Sequence, residues 1–287
     1  MVPIPTIPLE NAAQKAHSKK RKADLLDMLI IEDNAEMRAY ITQCIETEQY
    51  NILEAANGEE GINLALENIP DIIISDIMMP KKDGFEVTQT LRQNIKTSHI
   101  PIVLLTAKTA LESKLEGLKK GADAYLSKPF SPEELAIRVN KLIELRLLLQ
   151  NRYHSGDLTP IKDEKVKQSV LVEDEFYSSV MDYIHENLDA KELNGEIIGK
   201  SFGMSRMQLH RKIKALTRQP VSDIIRNERL KKAIQLLQEQ QLNVSEVAYQ
   251  TGFNSPSHFS RIFKAKYGKS PSEYKTKFSN SKRKPIV

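Results

Sequence analysis

The stretch Pro70-Asp71-Ile72-Ile73-Ile74-Ser75-Asp76-Ile77-Met78-Met79-Pro80 contains a short apolar run that ends in a single carboxylate, Asp76. A β-branched run of this length, closed by turn residues, is typical of a strand buried on both faces. Three other apolar runs also end in polar residues. These ends are Glu32 and Asp33 after residues 29–31, Thr106 after 102–105, and Lys128 after 124–127. Because the carboxyl ends of parallel strands meet at one edge of a sheet, we expect one site to be assembled there.

Between residue 27 and about residue 150, short apolar strands alternate with amphipathic stretches of helical period. The predicted helices span 35–48, 58–68, 86–94, 111–120 and 132–149. Five such repeats predict an α/β fold, with a doubly wound, five-stranded parallel sheet covered by helices on both faces.

The charge distribution divides the 287 residues into an acidic part and a basic part. Residues 24–148 hold 13 Lys and Arg against 21 Asp and Glu, a net charge of −8, whereas residues 177–287 hold 20 against 10, a net charge of +10. The length suits two domains. The basic part indicates a nucleic-acid partner, since phosphate neutralisation drives such binding, although a merely solvated basic surface remains an alternative on charge alone.

The basic part contains an internal repeat with a spacing of about 50 residues. Ile198-Gly199-(x3)-Gly203-Met204-Ser205-(x3)-Leu209 recurs as Val247-Ala248-(x3)-Gly252-Phe253-Asn254-Ser255-(x3)-Phe259, with one extra residue in the second turn. Each copy reads as a helix, a glycine turn, a capping serine and a second helix. The sequence therefore predicts an all-α double helix-turn-helix domain.

The remaining segments set the expected boundaries. We expect a linker or tail at 1–26, the α/β domain at 27–148, an interdomain linker at 149–176, the helical domain at 177–276 and a basic tail at 277–287. Cys44 is the one cysteine and lies on an apolar helical face, where packing is its expected role. With no apolar run near the length of a membrane span and no signal-peptide pattern at residues 1–10, we expect no membrane contact and a cytoplasmic location.

The carboxylates at the strand ends predict a metal site. Glu32, Asp33 and Asp76 would repel one another at close range unless a cation compensates, and hard oxygen ligands favour Mg²⁺. Asp76 is then placed to attack a phosphoryl group, with Lys128 offsetting charge on the oxygens and Thr106 donating a hydrogen bond. The product would be an acyl phosphate.

Residues 27–148 resemble the receiver domain of bacterial two-component response regulators, which has a flavodoxin-like fold. The motifs are Glu32-Asp33, Asp76 followed by Asp83-Gly84, Thr106-Ala107 and Ser127-Lys128-Pro129-Phe130. The resemblance implies that the backbone carbonyl of Met78 is a further metal ligand, that the Lys128–Pro129 bond is cis, and that a histidine kinase is the phosphoryl donor. It also implies that Thr106 and Tyr125 form a switch pair that alters the face containing residues 111–120, 124–127 and 132–149.

Residues 178–276 resemble the AraC-type DNA-binding domain, most specifically through the run from Gly252 to Lys264 with Tyr267-Gly268 and Pro271 to Tyr274. The resemblance implies two recognition helices, at 206–214 and 256–266, joined by a long helix at 220–240, that enter successive major grooves of double-stranded DNA. The implied base-reading residues are Met207, His210, Arg211, Ser257, His258 and Arg261. Phosphate contacts are expected from Arg206, Lys212, Lys214, Lys264 and Lys266. Arg218 stands where the family usually has glycine, and we expect the turn to adapt.

Together these features predict a phosphorylation-controlled transcription factor, not an enzyme, that forms a homodimer on activation. One alternative is a phosphate-independent factor in which the receiver only dimerises the DNA-binding part. Another alternative is that the chain is the C-terminal piece of a hybrid sensor histidine kinase, whose kinase lobe would end in residues 2–9. The opposite alternative is a free-standing regulator in which the same residues begin a basic N-terminal tail. A phosphohydrolase of the haloacid-dehalogenase type is disfavoured because Met78 stands where a second aspartate is required.

Overall fold

The computed structural model describes residues 25–45, 48–107, 121–155, 164–239 and 242–281. The predicted helix at 111–120 lies outside these ranges, as do nearly all of the predicted tail at 1–26 and residues 282–287 of the basic tail. Within the described ranges, no helix combines the length and the apolar character needed to cross a membrane.

The N-terminal part is a five-stranded parallel sheet in the order β2-β1-β3-β4-β5. Its strands are β1 Leu26–Ile31, β2 Tyr50–Ala55, β3 Ile72–Asp76, β4 Ile102–Ala107 and β5 Ala124–Lys128. The helices described around it are α1 Ala35–Cys44, α2 Gly58–Asn68, α3 Gly84–Gln93 and α4 Pro132–Ser155. Separate apolar clusters cover the two faces of the sheet, with Ile73 in one and Ile72 in the other, which confirms the doubly wound α/β fold.

Local capping explains where two helices depart from their predicted bounds. Helix α3 begins two residues earlier than expected, because Asp83 caps it through a reciprocal pair of hydrogen bonds with Glu86. Helix α1 ends early, at Cys44, because Ile45 is already extended.

The C-terminal part is all-helical, as predicted. Its helices are α5 Glu164–Glu186, α6 Gly195–Ser201, α7 Arg206–Thr217, α8 Val221–Glu239, α9 Val244–Gln250, α10 Pro256–Tyr267 and α11 Pro271–Ser281. It has two apolar cores, one under α5, α6 and α7 and one under α9 and α10. Helix α8 contributes Ile225 to the first core and Leu237 to the second, so it joins the two helix-turn-helix units.

Most of residues 149–176, predicted as an interdomain linker, is helical in the structure. Helix α4 continues to Ser155, and α5 begins at Glu164, well before residue 177, where the helical domain was predicted to begin. Near the end of that stretch, Glu173 and Phe176 are both buried, at 5% and 2% exposure. Tertiary contacts therefore support a helix that the polar composition alone does not indicate.

Candidate functional site

Three carboxylates converge at the carboxyl edge of the sheet. Strands β1 and β3 are adjacent, with Ile31 opposite Ser75, so the residues that follow them are neighbours. One carboxylate oxygen from each of Glu32, Asp33 and Asp76 lies within 4.8 Å of the other two. Glu32 and Asp76 are buried, whereas Asp33 is exposed. The three carboxylates that the sequence places at strand ends therefore form one cluster.

Lys128 reaches this cluster from the end of β5. Its Nζ lies 2.8 Å from a carboxylate oxygen of Glu32 and 2.9 Å from one of Asp76. Burial, together with the charge of Asp76, raises the pKa of Glu32 despite its contact with Lys128. Burial alone would lower the pKa of Lys128, but its bonds to the two carboxylates outweigh burial and raise it. The Lys128–Pro129 bond is cis, as the resemblance implies.

The donor set fits a hard divalent cation. The ammonium of Lys128 offsets only part of the negative charge of the three carboxylates, and every group facing the site from these three side chains is an oxygen. Mg²⁺ prefers such donors and keeps several of its waters, for which the exposed Asp33 leaves room. The residues present therefore suit the predicted cofactor.

Arg38 is a supporting residue that the motifs did not reveal. Its guanidinium donates to the backbone carbonyl of Glu32 at 2.8 Å and to that of Asp33 at 3.4 Å. It also pairs with Glu54 at 3.2 Å. These bonds hold the backbone of the acidic pair in place. Because every residue has a backbone carbonyl, the sequence does not reveal which residues accept these bonds.

The turn after Asp76 requires glycine at position 84. A Cβ on Gly84 would lie 2.3 Å from the carbonyl oxygen of Asp76, and the Gly84 amide donates to the carbonyl of Ile77 at 3.0 Å. This close approach folds the loop back against the end of β3. The side chain of Met78, within that loop, is 75% exposed.

Thr106 and Tyr125 lie on the adjacent strands β4 and β5. Thr106 is buried, and its hydroxyl donates to the carbonyl of Ala107 at 3.3 Å. Tyr125 lies opposite Leu104, and its buried hydroxyl has no hydrogen-bond partner among the described residues. Burial, followed by the charge of Asp123, raises the pKa of Tyr125 to about 12.

The two helix-turn-helix units are built as the repeat predicts. Gly203 and Gly252 occupy left-handed turns with φ of 65° and 76°. Ser205 and Ser255 then cap α7 and α10, each accepting a hydrogen bond of 3.2 Å from the backbone amide three residues on. The predicted recognition helices therefore correspond to α7 and α10, which end three residues and one residue later than predicted.

The predicted DNA-contacting side chains fall into two groups by exposure. His210 and Arg211 are partly buried. The exposed members are Arg206, Met207, Lys214, Ser257, His258, Arg261, Lys264 and Lys266. Arg206, Met207 and His210 of α7 line a cleft of about 920 Å³ together with His258 of α10.

Two expectations about α7 fail in this structure. Lys212, expected to meet phosphates, is fully buried and pairs with Glu173 at 2.6 Å. Arg218, where the turn was expected to adapt, adopts the left-handed conformation itself, with φ of 60°. Its Nε donates to the side chain of Gln150 at 2.8 Å. Both residues are held by contacts that a single helix-turn-helix motif cannot predict.

Comparison with known proteins agrees with both halves of the chain. Residues 28–140 match the model of the response regulator receiver domain, and residues 198–277 match that of a helix-turn-helix domain. The chain is 35% identical over 281 residues to histidine kinase P4 of Formosa agariphila, covering 97% of this chain and 20% of that protein. It is 36% identical over 165 residues to the transcriptional regulatory protein ResD of Bacillus subtilis, covering 58% of this chain and 66% of ResD. The chain thus spans less than two thirds of the length of these curated relatives.

Among solved structures, the receiver domain of the Francisella response regulator 1452 is 39% identical, with a TM-score of 0.39. The match covers 42% of this chain and 98% of that structure. The family matches therefore give the chain a response regulator receiver domain at residues 28–140 joined to an AraC-type helix-turn-helix domain at residues 198–277.

Proposed function

We propose that this chain is a DNA-binding regulator controlled by phosphorylation of Asp76. The observation that carries the proposal is the position of the Asp76 carboxylate, 2.9 Å from Nζ of Lys128 and within 4.8 Å of the carboxylates of Glu32 and Asp33. A nucleophilic oxygen beside a fixed cation and a cation-binding acidic pair is the arrangement that phosphoryl transfer to a carboxylate needs.

The transfer forms one bond and breaks one. An oxygen of Asp76 bonds to phosphorus while the P–N bond to a histidine of the kinase breaks, and the departing imidazole nitrogen keeps the electron pair and takes up a proton from solvent. Lys128 and the hydroxyl of Thr106 stabilise the charge on the phosphoryl oxygens. Mg²⁺, held by the three carboxylates and the carbonyl of Met78, would supply further neutralisation of that charge.

The switch then follows from the pair on β4 and β5. Thr106 turns its hydroxyl toward the phosphoryl group, and the Tyr125 ring occupies the space that Thr106 leaves. The affected face has two conformations, and phosphorylation changes their relative populations. The activated chain then forms a homodimer. The unpartnered hydroxyl of Tyr125 supports this role, because no hydrogen bond within the described residues holds the ring in one position.

Double-stranded DNA is the proposed output partner. The support is the net charge of +10 on residues 177–287 and the two capped recognition helices. Arg211 and Arg261 are the proposed guanine readers, each by a bidentate contact. The remaining contacts are assigned to Arg206, Met207, His210, Lys214, Ser257, His258 and Lys264.

Treatment with acetyl phosphate and Mg²⁺ tests the phosphoryl acceptor. We expect wild-type chain to gain one phosphoryl group, seen by intact mass, and Asp76→Asn to gain none while keeping its basal DNA binding. Lys141→Ala, an exposed change on α4, serves as the matched control. Modification of Asp76→Asn to the same extent as wild type would contradict the assignment.

A second reading is that the chain is the C-terminal piece of a hybrid sensor kinase. It is favoured by one observation, the 35% identity to histidine kinase P4 over 97% of this chain. The phosphoryl donor would then be a kinase domain of the same polypeptide, and the regulator would act on the cytoplasmic side. If phosphodonor treatment changes neither dimerisation nor DNA affinity, the phosphate-independent dimerising factor replaces both readings.

A further inference from the structure

The receiver domain packs against one side of the recognition helix α7, the side that carries Gln208 and Arg211. Gln208, on α7, donates from Nε2 to the carbonyl of Leu66 at 2.8 Å. Arg211, one turn further along α7, donates to the carbonyl of Asn68. Lys96 donates from Nζ to Oε1 of Gln208 at 3.4 Å. Leu66 and Asn68 belong to the end of α2, and Lys96 to the loop after α3, so the contacts come from one edge of the receiver domain.

A buried charge pair lies at the centre of this contact. Nζ of Lys212 is 2.6 Å from Oε2 of Glu173 and also donates to the carbonyl of Ile95 in the receiver domain. Glu173 in turn accepts a 2.5 Å hydrogen bond from the hydroxyl of Ser98. The ammonium lies 4.6 Å from the ring centre of Phe176. Helix α5, the receiver loop and α7 therefore meet at one fully buried lysine.

The end of α4 holds the other end of α7. Gln150 donates from Nε2 to the carbonyl of Ala215 at 2.6 Å and accepts from Nε of Arg218 at 2.8 Å. Gln150 is itself 7% exposed. The side-chain amide of Gln150 is thus hydrogen-bonded both to helix α7 and to Arg218, the residue that ends it.

The internal repeat provides a matched comparison within the same chain. Arg261 and Ala265 on α10 are exposed, whereas on α7 the counterpart Arg211 is partly buried and the counterpart Ala215 is 7% exposed. Gly268, the C-cap of α10, is in the left-handed conformation that Arg218 adopts at the end of α7. Because the two units share one fold, this asymmetry arises from the receiver domain and not from the motif.

We propose that the receiver domain is an intramolecular competitor of DNA, which closes over α7 through the edge formed by the end of α2, the loop after α3 and the end of α4. In this closed state the guanidinium of Arg211 is bonded to the receiver and α7 cannot enter a major groove, while α10 remains free. The competition rests on the proposed DNA binding, but the closed state itself can be tested without DNA.

Cysteine accessibility tests closure. In a Cys44→Ala background, Ala215→Cys reports on α7, and Ala265→Cys reports on the matched position of α10. We expect the thiol at 215 to react with a maleimide at least tenfold more slowly than the thiol at 265. Equal rates in the full chain would overturn the proposal.

Two variants test what holds the domains together. Glu173→Gln removes the partner of the buried lysine, and Gln150→Ala removes the clamp at the end of α7; Glu175→Gln, exposed on the same helix as Glu173, is the control. Each of the first two should speed reaction at 215 at least tenfold and leave the rate at 265 unchanged. If both variants leave position 215 protected, these contacts do not close the domain and the proposal is wrong. A rise at both positions would indicate unfolding, and a far-ultraviolet circular dichroism spectrum matching wild type is required for the comparison.

Binding of a random-sequence 40-base-pair duplex, followed by fluorescence anisotropy, then tests competition. Opening of the domain contact makes the phosphate contacts of α7 available to DNA. The Glu173→Gln variant should therefore bind the duplex at least tenfold more tightly than wild type, and its affinity should fall more steeply with salt concentration. Unchanged affinity and slope, together with faster labelling at 215, would show that closure does not compete with DNA. If no variant binds DNA, the proposed function is overturned. The closed state would still be judged by the thiol reaction rates.

Discussion

Nζ of Lys212 lies 2.6 Å from Oε2 of Glu173, and the two side chains are only 0% and 7% exposed. Burial lowers the pKa of Lys212 even though Glu173 opposes that effect. Removing one partner of such a pair leaves an uncompensated buried charge, which costs about 3 to 5 kcal/mol, whereas replacing both by apolar residues of similar volume is often neutral. Both residues belong to the C-terminal part, and the receiver domain contacts the pair through the carbonyl of Ile95 and the hydroxyl of Ser98.

We predict that Glu173→Leu alone opens the chain and that Glu173→Leu with Lys212→Met restores the compact form. The chain avoids the unpaired buried ammonium by undocking, because solvation of Lys212 in the open state removes the penalty. Small-angle X-ray scattering should show a larger radius of gyration for the single variant than for the double variant. Equal radii for wild type and Glu173→Leu would contradict the prediction.

The receiver site could be predicted from sequence because each of its residues lies at the carboxyl end of a strand or directly after it. Parallel pairing of β1 with β3 brings Glu32 and Asp76 together whatever the rest of the chain does. The domain contact gives no such signal. Its acceptors are mostly backbone carbonyls, as at Leu66 and Asn68, which any residue supplies. Lys212 is one lysine among several in a basic helix, so only the packed structure distinguishes it.

Lys128 is predicted to compete with Mg²⁺ for the carboxylates. Its ammonium lies within 2.9 Å of both Glu32 and Asp76, and like charges near 4 Å repel by about 4 kcal/mol at an effective dielectric constant of 20. Lys128→Ala should therefore bind Mg²⁺ at least tenfold more tightly while accepting phosphoryl groups more slowly. Isothermal titration calorimetry measures the affinity, with the exposed Lys141→Ala as control. Weaker Mg²⁺ binding by Lys128→Ala would show that the lysine organises the carboxylates more than it repels the metal.

Acidification is predicted to open the domain contact through His99. Its Nδ1 lies 3.5 Å from Nζ of Lys212, and its Nε2 is buried without a hydrogen-bond partner in the described part of the chain. Burial, then the charges of Lys212, Arg146 and Arg92, hold the pKa of His99 well below 6.5. Glu173 is the carboxylate that pairs with Lys212 at this junction.

The open state binds the proton on His99 more readily than the closed state does. The contribution of neutral His99 to closure is therefore complete above about pH 6.5 and is lost as the pH falls toward the depressed value. The rate of maleimide reaction at Ala215→Cys is divided by the rate at Ala265→Cys at each pH, which corrects for the changing thiolate fraction. This ratio should increase as the pH falls from about 7 to about 5.5. His99→Gln should abolish that dependence, and persistence of the full pH effect in that variant would exclude His99 as its source.

Arg218→Gly is predicted to have opposite effects on the helical domain and on closure. A non-glycine residue in the left-handed conformation costs about 1 kcal/mol, so glycine should stabilise the C-terminus of α7 by about that amount. The same change deletes the 2.8 Å bond to Gln150 and so weakens docking. Gly268→Arg is the matched variant on α10, where nothing lies within 4 Å of a Cβ at that position. It should therefore show the conformational cost of a left-handed arginine without any effect on docking. Thermal unfolding and labelling at position 215 separate the two effects.

Arg261 and Arg211 are predicted to differ in DNA binding despite their equivalent places in the repeat. Arg261 is exposed, so Arg261→Ala should cost about 1 to 3 kcal/mol and relax preference at one base position in every state of the chain. Arg211→Ala removes the proposed base contact but also the bond to Asn68, so in unphosphorylated chain we expect opening to offset part of the loss of affinity. Lys264→Ala should weaken all sequences evenly and lower the salt slope by about one. Sequence selection from a random duplex library measures all three, and equal losses for Arg211→Ala and Arg261→Ala in unphosphorylated chain would show that the receiver does not occupy Arg211 in solution.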